Sequence, residues 1–355
     1  MKEMTSRERF GRMFAHREAD RVPIIDIPWQ ETIERWQAEG MPEGIGFVDF
    51  FGLDRVAEVM VDNSPRYLEK TLEETGEYTI FTTAWGVTLK KWKHRESTPA
   101  FLDFTIIDRD AWAKAEALMQ PDPERIPWDL LKKNYRRWRE EGYWLQTNLW
   151  FGFDVAHSWA VGTERLLIAM LEDPEWCVEM FNHYLDVNLA LLEMVLEQGY
   201  EFDSAFWWDD MGYKGSQFFS VETYRELLKP VHRRAVEWAH ARGMKTHLHS
   251  CGNVNPFIPE LIEIGLDALN PMEVKAGMDP PAIKRRYGKD LVLHGGINAV
   301  LWDDLAAIEA EMERVLPVLK EGGGYIFSSD HSVPASVSLE NFRSIVEKAK
   351  QLGAY

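Results

Sequence analysis

The sequence has few cysteines, no long apolar run and fewer cations than anions. Only Cys177 and Cys251 occur among its 355 residues, which excludes a disulfide framework and favours a reducing cytoplasm. The apolar run at residues 166–171 is far shorter than the roughly 20 residues of a membrane span. The first twenty residues contain no signal-peptide core. We therefore expect a cytoplasmic protein that does not act at a membrane.

The charge balance narrows the choice of partners. Lys and Arg number 40 against 58 Asp and Glu, a net charge of −18. Because nucleic-acid binding needs clustered cations to neutralise phosphates, no nucleic-acid partner is expected. No repeat, low-complexity tract or Gly/Ser-rich linker interrupts the chain, so we expect one domain over residues 1–355. Its aromatic-rich N-terminal third could supply the surface of a homodimer.

The order of predicted elements favours an α/β barrel. Thr5 and Glu8 form a capping-box pattern ahead of a helix, and a short buried strand is predicted at 22–27. Helices are predicted from Asp173 to Gly199, from Ser220 to near Gly243, and over 338–353. Strand-like runs lie at 143–150, 202–208, 245–250, 266–270, 291–294 and 325–328.

Six successive strand–helix units imply parallel strands with right-handed crossovers. The strand at 22–27 and one strand from the hairpin region 78–92 raise the count to eight. We therefore predict an eight-stranded (β/α) TIM barrel with an N-terminal helical extension.

A barrel of this kind has its active site at the C-terminal ends of its strands. The polar residues that follow the predicted strands are therefore candidates for one shared site. They are Asp209, Asp210, His249, Cys251, Glu273, His294, Asn298, Asp330 and His331.

His249 and Cys251 form the core of a predicted zinc site. Their spacing places both side chains on one face of an extended strand end, because strand side chains alternate with period two. Glu273 and His331 follow two other predicted strands and complete a set of imidazole, thiolate and carboxylate ligands that zinc favours. Such a neutral centre could bind an incoming thiol as a nucleophilic thiolate. His331 could instead contact only the substrate.

Other residues of the predicted mouth are assigned to substrate and proton transfer. Asp210 and His331 are predicted acid–base residues. Asp209 and Asp210 could also anchor substrate or cap the following turn. Cys177, among apolar helix residues, is predicted to be part of the core. Substrate contacts are predicted for Trp208, Asp209, Tyr213, Asn298 and Asp330.

The chain resembles the uroporphyrinogen decarboxylase superfamily over nearly its whole length. The resemblance is carried by DRVPIIDIPW, HLHSCGNVNPFIPELIEIGLDALNPME, KRRYGKDLVLHGGIN and GGGYIFSSDHSVPASVSLENF. It implies a (β/α)₈ barrel. It also implies one of two activities, that of the heme-pathway decarboxylase or that of methyltransferases that act with corrinoid proteins.

Several of those methyltransferases have a His-x-Cys … Cys zinc site that activates coenzyme M, and a remote relative, cobalamin-independent methionine synthase, adds a Glu. By this resemblance His249 and Cys251 match the His-x-Cys pair, and Glu273 falls where the Glu would lie. His331 stands where the final Cys would be. That departure preserves zinc ligation but makes the centre less electron-rich.

The decarboxylase branch fits less well. It needs an N-terminal arginine pair that holds propionates, whereas the equivalent stretch here is IIDIPWQETIERW. An octacarboxylate substrate would also meet an acidic mouth. His331 resembles the decarboxylase histidine and keeps that alternative open.

We therefore predict a zinc-dependent methyltransferase that acts on a small-molecule thiol acceptor, with cobalamin carried by a corrinoid partner protein as methyl donor. The alternative enzyme is a metal-free decarboxylase or a folate-linked demethylase or methyltransferase. A non-enzymatic corrinoid-binding or small-ligand-binding protein is the third hypothesis.

Overall fold

The computed structural model describes residues 3–94 and 98–355. The strands in this part of the chain are β1 (Val56–Met60), β2 (Lys70–Glu74), β3 (Tyr78–Thr82), β4 (Val87–Trp92), β5 (Ala100–Phe104), β6 (Trp144–Leu149), β7 (Ser204–Trp208), β8 (Gly212–Tyr213), β9 (Ser216–Gln217), β10 (Lys245–His249), β11 (Ala268–Asn270), β12 (Val292–His294) and β13 (Tyr325–Ile326).

The α-helices are α1 (Ser6–Phe14), α2 (Gln30–Ala38), α3 (Phe47–Phe51), α4 (Arg109–Leu118), α5 (Trp128–Glu140), α6 (Thr163–Glu172), α7 (Pro174–Glu197), α8 (Val221–Thr223), α9 (Lys229–His240), α10 (Ile258–Glu263), α11 (Pro280–Tyr287), α12 (Leu305–Lys320) and α13 (Leu339–Gly353). None of the helices in the described ranges has both the length and the apolar character that a bilayer crossing requires.

A curled sheet of seven parallel strands organises the fold, in the order β1-β6-β7-β10-β11-β12-β13. Paired residues of neighbouring strands face the same side, so rows of side chains run around its inner surface. At the amino-terminal end of the strands, Phe10 and Phe14 of α1 pack against Trp144, Val292 and other inward residues. This plug closes one end of the curled sheet and leaves the carboxyl end for the candidate site.

The α/β class is confirmed, but the predicted count of eight barrel strands is wrong in two places. The hairpin region 78–92 forms β3 and β4 of a separate antiparallel sheet, β2-β3-β4-β5. The segment 22–27 is no regular strand: it makes a bridge from Ile24 to Phe327. The strand beside β6 is β1, which the sequence interpretation missed.

Buried ion pairs hold the segment 21–24 against the start of β1. The side chain of Asp54 is fully buried and accepts hydrogen bonds from Arg9 Nη1 at 3.0 Å and Arg21 Nη1 at 2.6 Å. It also accepts from the backbone N–H of Ile24 at 2.8 Å, while the N–H of Asp54 donates to Ile24 O at 2.8 Å. The segment therefore contacts both edges of the open sheet.

Local sequence signals account for several helix boundaries. The predicted capping box is present, with Thr5 and Glu8 each bonding the backbone N–H of the other. The helix predicted from Ser220 to Gly243 is instead interrupted by a π-turn at Tyr224–Leu228. Pro230 explains the interruption, because its ring lacks the N–H that a continuous α-helix would use.

Candidate metal centre

Two neighbouring strand ends bring the central residues of the site together. β7 and β10 are parallel, with Trp208 paired to His249. The backbone N–H of Asp209 donates to His249 O at 2.8 Å, which extends the pairing past the last strand residues. The segments that carry Asp210 and Cys251 therefore leave the sheet side by side.

Asp210, His249 and Cys251 offer ligand atoms that all lie within 4.8 Å of one another. Cys251 Sγ is 3.3 Å from His249 Nε2, and that nitrogen is 3.7 Å from Asp210 Oδ1. One sulfur, one nitrogen and one carboxylate oxygen are the donor types of zinc sites, and three protein ligands leave a position for substrate.

Asn270 sets the orientation and tautomer of His249. Its Oδ1 lies 2.5 Å from His249 Nδ1, and an amide oxygen can only accept a hydrogen bond, so Nδ1 carries the proton. Nε2 then presents its lone pair toward Cys251 and Asp210. A hydrogen bond on the far ring nitrogen is the usual support of a metal-binding histidine.

Close backbone packing holds Asp210 beside Cys251. Gly252 adopts φ +81°, and a Cβ there would lie 2.2 Å from the carbonyl carbon of Gly212. The backbone N–H of Cys251 donates to Asp210 Oδ1 at 2.7 Å. Only glycine permits this approach of the two loops, and the approach fixes the distance between carboxylate and thiol.

Without a cation the cluster favours neutral acid groups. Burial raises the pKa of Asp210 to about 6, and His249 opposes the shift. Burial, with the nearby charges of Asp210 and Glu273, raises the pKa of the Cys251 thiol well above its usual value. A bound divalent ion would reverse this preference, because it stabilises thiolate and carboxylate. The donor set therefore fits a zinc ion.

The structure brings together two of the four predicted ligands and adds Asp210. Glu273 and His331 do not belong to the three-residue group. Glu273 Oε2 accepts from the backbone N–H of Gly252 at 2.7 Å, and its Oε1 lies 3.2 Å from Lys275 Nζ. It therefore supports the turn that follows Cys251.

His331 lies half-buried at the mouth beside Trp29. The ring centroids of the two residues are 6.4 Å apart. Burial lowers the pKa of His331, and the charge of Lys275 lowers it further. A neutral imidazole can accept a proton from a bound substrate. The acid–base role of His331 therefore agrees with its lowered pKa and stays a prediction.

Asp209 belongs to a buried hydrogen-bonded chain. Its Oδ2 lies 2.7 Å from His232 Nε2, and its Oδ1 accepts from the backbone N–H of Asp154 at 2.7 Å. His232 Nδ1 lies 3.1 Å from the Tyr224 hydroxyl. Burial raises the pKa of Asp209, while His232 opposes the shift. Both carboxylate oxygens of Asp209 already have hydrogen-bond partners. The residue is therefore better placed to hold its neighbour Asp210 than to contact substrate as predicted.

Asp330 and Asn298 shape the loops of the mouth. Asp330 is fully buried, and its two oxygens accept from the backbone N–H groups of Val274 and Ala299, both at 2.7 Å. Asn298 accepts from the N–H of Val300 at 3.1 Å. Asp330 thus ties together the loops after β11 and β12, and its predicted substrate contact would require these bonds to break.

Trp208 and Tyr213 are more accessible to a ligand. Trp208 is half-buried, with its ring centroid 4.9 Å from that of Phe206. Tyr213 lies on the β8–β9 hairpin and is 48% exposed, 5.3 Å from the Phe218 ring. Their predicted role in substrate binding is compatible with these positions.

A polar group on the inner wall was missed by the sequence interpretation. Glu58 of β1 accepts from the side-chain amides of Gln146 at 3.0 Å and Asn148 at 2.8 Å, both on β6. The polar residues at alternate positions of β6 were the available signal, because they mark an inner face that is not wholly apolar.

Comparisons with known proteins agree with this architecture. Residues 153–352 match the family described as Uroporphyrinogen decarboxylase (URO-D), and the chain belongs to that family. A curated relative, "Uroporphyrinogen decarboxylase" of Nitrosospira multiformis, is 25% identical over 185 residues. The match covers 49% of this chain and 47% of that relative, about half the length of each.

A solved structure described as a methyltransferase from Methanosarcina mazei shares the fold over almost the whole chain. Its TM-score is 0.63 at 17% sequence identity, with 98% of this chain and 99% of that chain covered. At this identity the likeness concerns the fold alone.

Proposed function

We propose that the protein is a zinc-dependent methyltransferase that moves a methyl group between a corrinoid-bound donor on a partner protein and a thiol acceptor. The observation that carries the proposal is the convergence of His249 Nε2, Cys251 Sγ and an Asp210 carboxylate oxygen within 4.8 Å. Such mixed donor sets with an open position are typical of catalytic zinc.

The residues of the site would have two roles, binding of the metal and orientation of the reactants. His249, Cys251 and Asp210 would hold the ion, and Asn270 keeps the imidazole in its binding tautomer. Bound zinc would supply the Lewis acidity that keeps an acceptor thiol in its thiolate form. Trp208, which is half-buried, and Tyr213, which is exposed, would orient the acceptor.

His331, half-buried at the mouth, would accept the thiol proton on a ring nitrogen. The S–CH₃ bond would then form as the bond between the methyl carbon and its donor breaks, with the electron pair leaving on the donor. Holding both reactants at one mouth supplies the proximity that such a displacement needs.

Metal analysis tests the proposal directly. Wild-type protein purified without an affinity tag or chelator should contain about one zinc ion per chain by mass spectrometry of the metal, and Cys251→Ser should lose most of it, because a neutral hydroxyl replaces the thiolate.

The other cysteine provides the control. Cys177 is fully buried in α7, where burial raises its pKa to about 12. Cys177→Ser should therefore keep its zinc. A wild-type protein without stoichiometric metal, or equal metal loss in both variants, would contradict the proposal.

A metal-free decarboxylase is the second candidate, favoured by the family match and the curated relative. A carboxyl with a pKa of about 6, as at Asp210, could serve as its general acid. This activity would survive strong chelation and would not depend on a corrinoid, whereas the proposed methyl transfer would be lost.

A further inference from the structure

Glu58 lies on the inner surface of the curled sheet, the same face that carries His249 of the metal cluster. The register pairs Glu58 with Gln146 and Met60 with Asn148, and Asn148 pairs in turn with Phe206. The outward residues Ala57 and Val59 of β1 are buried in the main core, so Glu58 and Met60 face inward. The Phe206 ring centroid is 6.5 Å from that of His249.

The carboxylate of Glu58 is accessible within a concave site. Its side chain is exposed although it points into the sheet interior. The surrounding protein nevertheless desolvates the carboxyl and raises its pKa, an effect that the Asn148 hydrogen bond opposes. Glu58 is therefore accessible while protein surrounds its carboxyl, as expected on the concave inner face of the sheet, two residues beyond Val56, which packs against the plug formed by α1.

Two buried amide side chains hold the carboxylate of Glu58 in place. Gln146 and Asn148 are 6% and 1% exposed, and both aim amide N–H groups at Glu58. Among the described residues, each oxygen of Glu58 accepts one hydrogen bond, which leaves each a lone pair for a ligand. A second buried group, His294 Nε2, has no hydrogen-bond partner in the described ranges. Its ring lies 5.1 Å from that of His247, the row neighbour of Phe206.

The charge of the inner surface favours a cation. Among residues 3–94 and 98–355, the partners of the Glu58 carboxylate are the neutral amides of Gln146 and Asn148, and no cationic side chain forms an ion pair with it. Lys275, at the mouth, pairs with Glu273. Phe206 and Trp208 lie on β7, which stands between β6 and β10 in the sheet. Aromatic faces attract organic cations. A partly desolvated carboxylate without a counter-charge is stabilised by such a ligand.

We propose that Glu58, held by Gln146 and Asn148, is the recognition site for the positively charged nitrogen of a small organic ammonium substrate. This rests on the proposed function, because the reacting end of the same molecule would lie at the metal cluster. β1 and β10 are three strand spacings apart, about 14 Å along the curved wall. A small substrate of metabolite size can span that distance.

Calorimetric titration of the zinc-loaded protein tests this assignment with choline and its uncharged isostere 3,3-dimethylbutan-1-ol. Wild type should bind choline at least about tenfold more tightly, equivalent to about 1.4 kcal/mol. Glu58→Gln, which keeps the shape and removes the charge, should abolish that preference and leave the binding of the alcohol unchanged. The exposed Glu164→Gln should behave as wild type.

Equal binding of the two probes to wild type, no saturable binding of either, or an undiminished preference in Glu58→Gln would each overturn the assignment. If Glu58→Gln fails to unfold cooperatively, Glu58→Asp replaces it. Aspartate keeps the charge but retracts it by one methylene, so the preference should shrink by severalfold, and an unchanged preference would again contradict the assignment.

The choline preference should persist in Cys251→Ser, which removes a metal ligand and not the recognition site. Zinc analysis of the same samples separates the two proposals. Zinc-free wild type that still prefers choline would count against the metal centre alone. Zinc-loaded protein without the preference would count against the recognition site alone.

Discussion

At the scale of single residues, one amide oxygen decides which nitrogen of His249 faces the cluster. Asn270 Oδ1 accepts a hydrogen bond from the Nδ1–H of His249, so Nε2 is free to bind a metal beside the Cys251 sulfur. The same Asn270 contributes its backbone oxygen to the N–H of Ser250 at 2.8 Å. The side chain that sets the tautomer is thus fixed by the strand pairing itself.

Replacing this amide should weaken metal binding without removing a ligand. Asn270→Leu has nearly the same volume but no acceptor, and we expect a loss of about 10- to 100-fold in zinc affinity, as is typical for such supporting groups. Competition with a chromophoric chelator measures the affinity. Asn270→Asp, which can still accept from Nδ1, should retain most of it. Equal affinities for all three proteins would show that the hydrogen bond plays no part.

At the residue level, the sequence could predict the proximity of His249 and Cys251, which depends on local periodicity. His249 and Cys251 share a face because they are two residues apart on one extended segment. The place of Asp210 in the cluster depends on how β7 pairs with β10 and on the contact of two loop backbones. Neither is encoded near Asp210 itself. For the same reason, the buried partners of Asp209 and Asp330 become visible only once distant segments are packed together.

At the scale of elements, the turn after β10 contacts the turn after β7 through backbone atoms alone. Gly252 and Gly212 provide that contact, and Glu273 Oε2 binds the Gly252 N–H. The geometry of the cluster therefore depends on two loops that contact each other without intervening side chains.

A methyl group at this contact should separate the loops. Gly252→Ala faces both a positive φ and a clash at 2.2 Å, so it should lower the free energy of unfolding by about 2–4 kcal/mol and reduce zinc content. Gly199→Ala is the matched control, because Gly199 has φ +84° with nothing within 4 Å of a Cβ. It should cost only about 1–2 kcal/mol. Urea denaturation compares the two, and equal losses would contradict the clash.

The elements themselves were predictable to different degrees. The six strands predicted from residue 142 onward appear within a few residues of their predicted positions, since buried parallel strands are short apolar runs between helices. β1 escaped because Glu58 interrupts its apolar pattern. Region 78–92 does form the expected hairpin, but long-range packing assigns it to a second sheet.

At the scale of the whole molecule, burial of one lysine makes global stability depend on pH. Lys284 of α11 is 9% exposed and donates to Gly323 O at 2.5 Å. Burial lowers its pKa from 10.5 to about 8, with Glu321 opposing the shift. The folded state therefore binds this proton less tightly than the unfolded chain does.

Because the pKa of Lys284 is lower in the folded state, its buried charge destabilises the fold fully below about pH 8. This destabilisation disappears as the pH rises toward 10.5. Lys284→Met should exceed wild type in stability most at pH 7, and that margin should shrink by roughly 3 kcal/mol by pH 10.5. Chemical denaturation across this range measures the margin. Lys289→Met, at an exposed position nearby, controls for net charge. A margin that stays constant with pH would refute the assignment.

The bridge between Ile24 and Phe327 has a consequence for the order in which the protein is made. A ribosome releases the amino-terminal segment early. Its pairing partner Phe327, which directly follows β13, emerges only after all the other strands of the curled sheet. Until then the inner surface of the sheet and the edge of β1 remain open to water and to other chains. Chaperone contact during synthesis would therefore be concentrated on this late gap, because unpaired strand edges are where large parallel sheets aggregate.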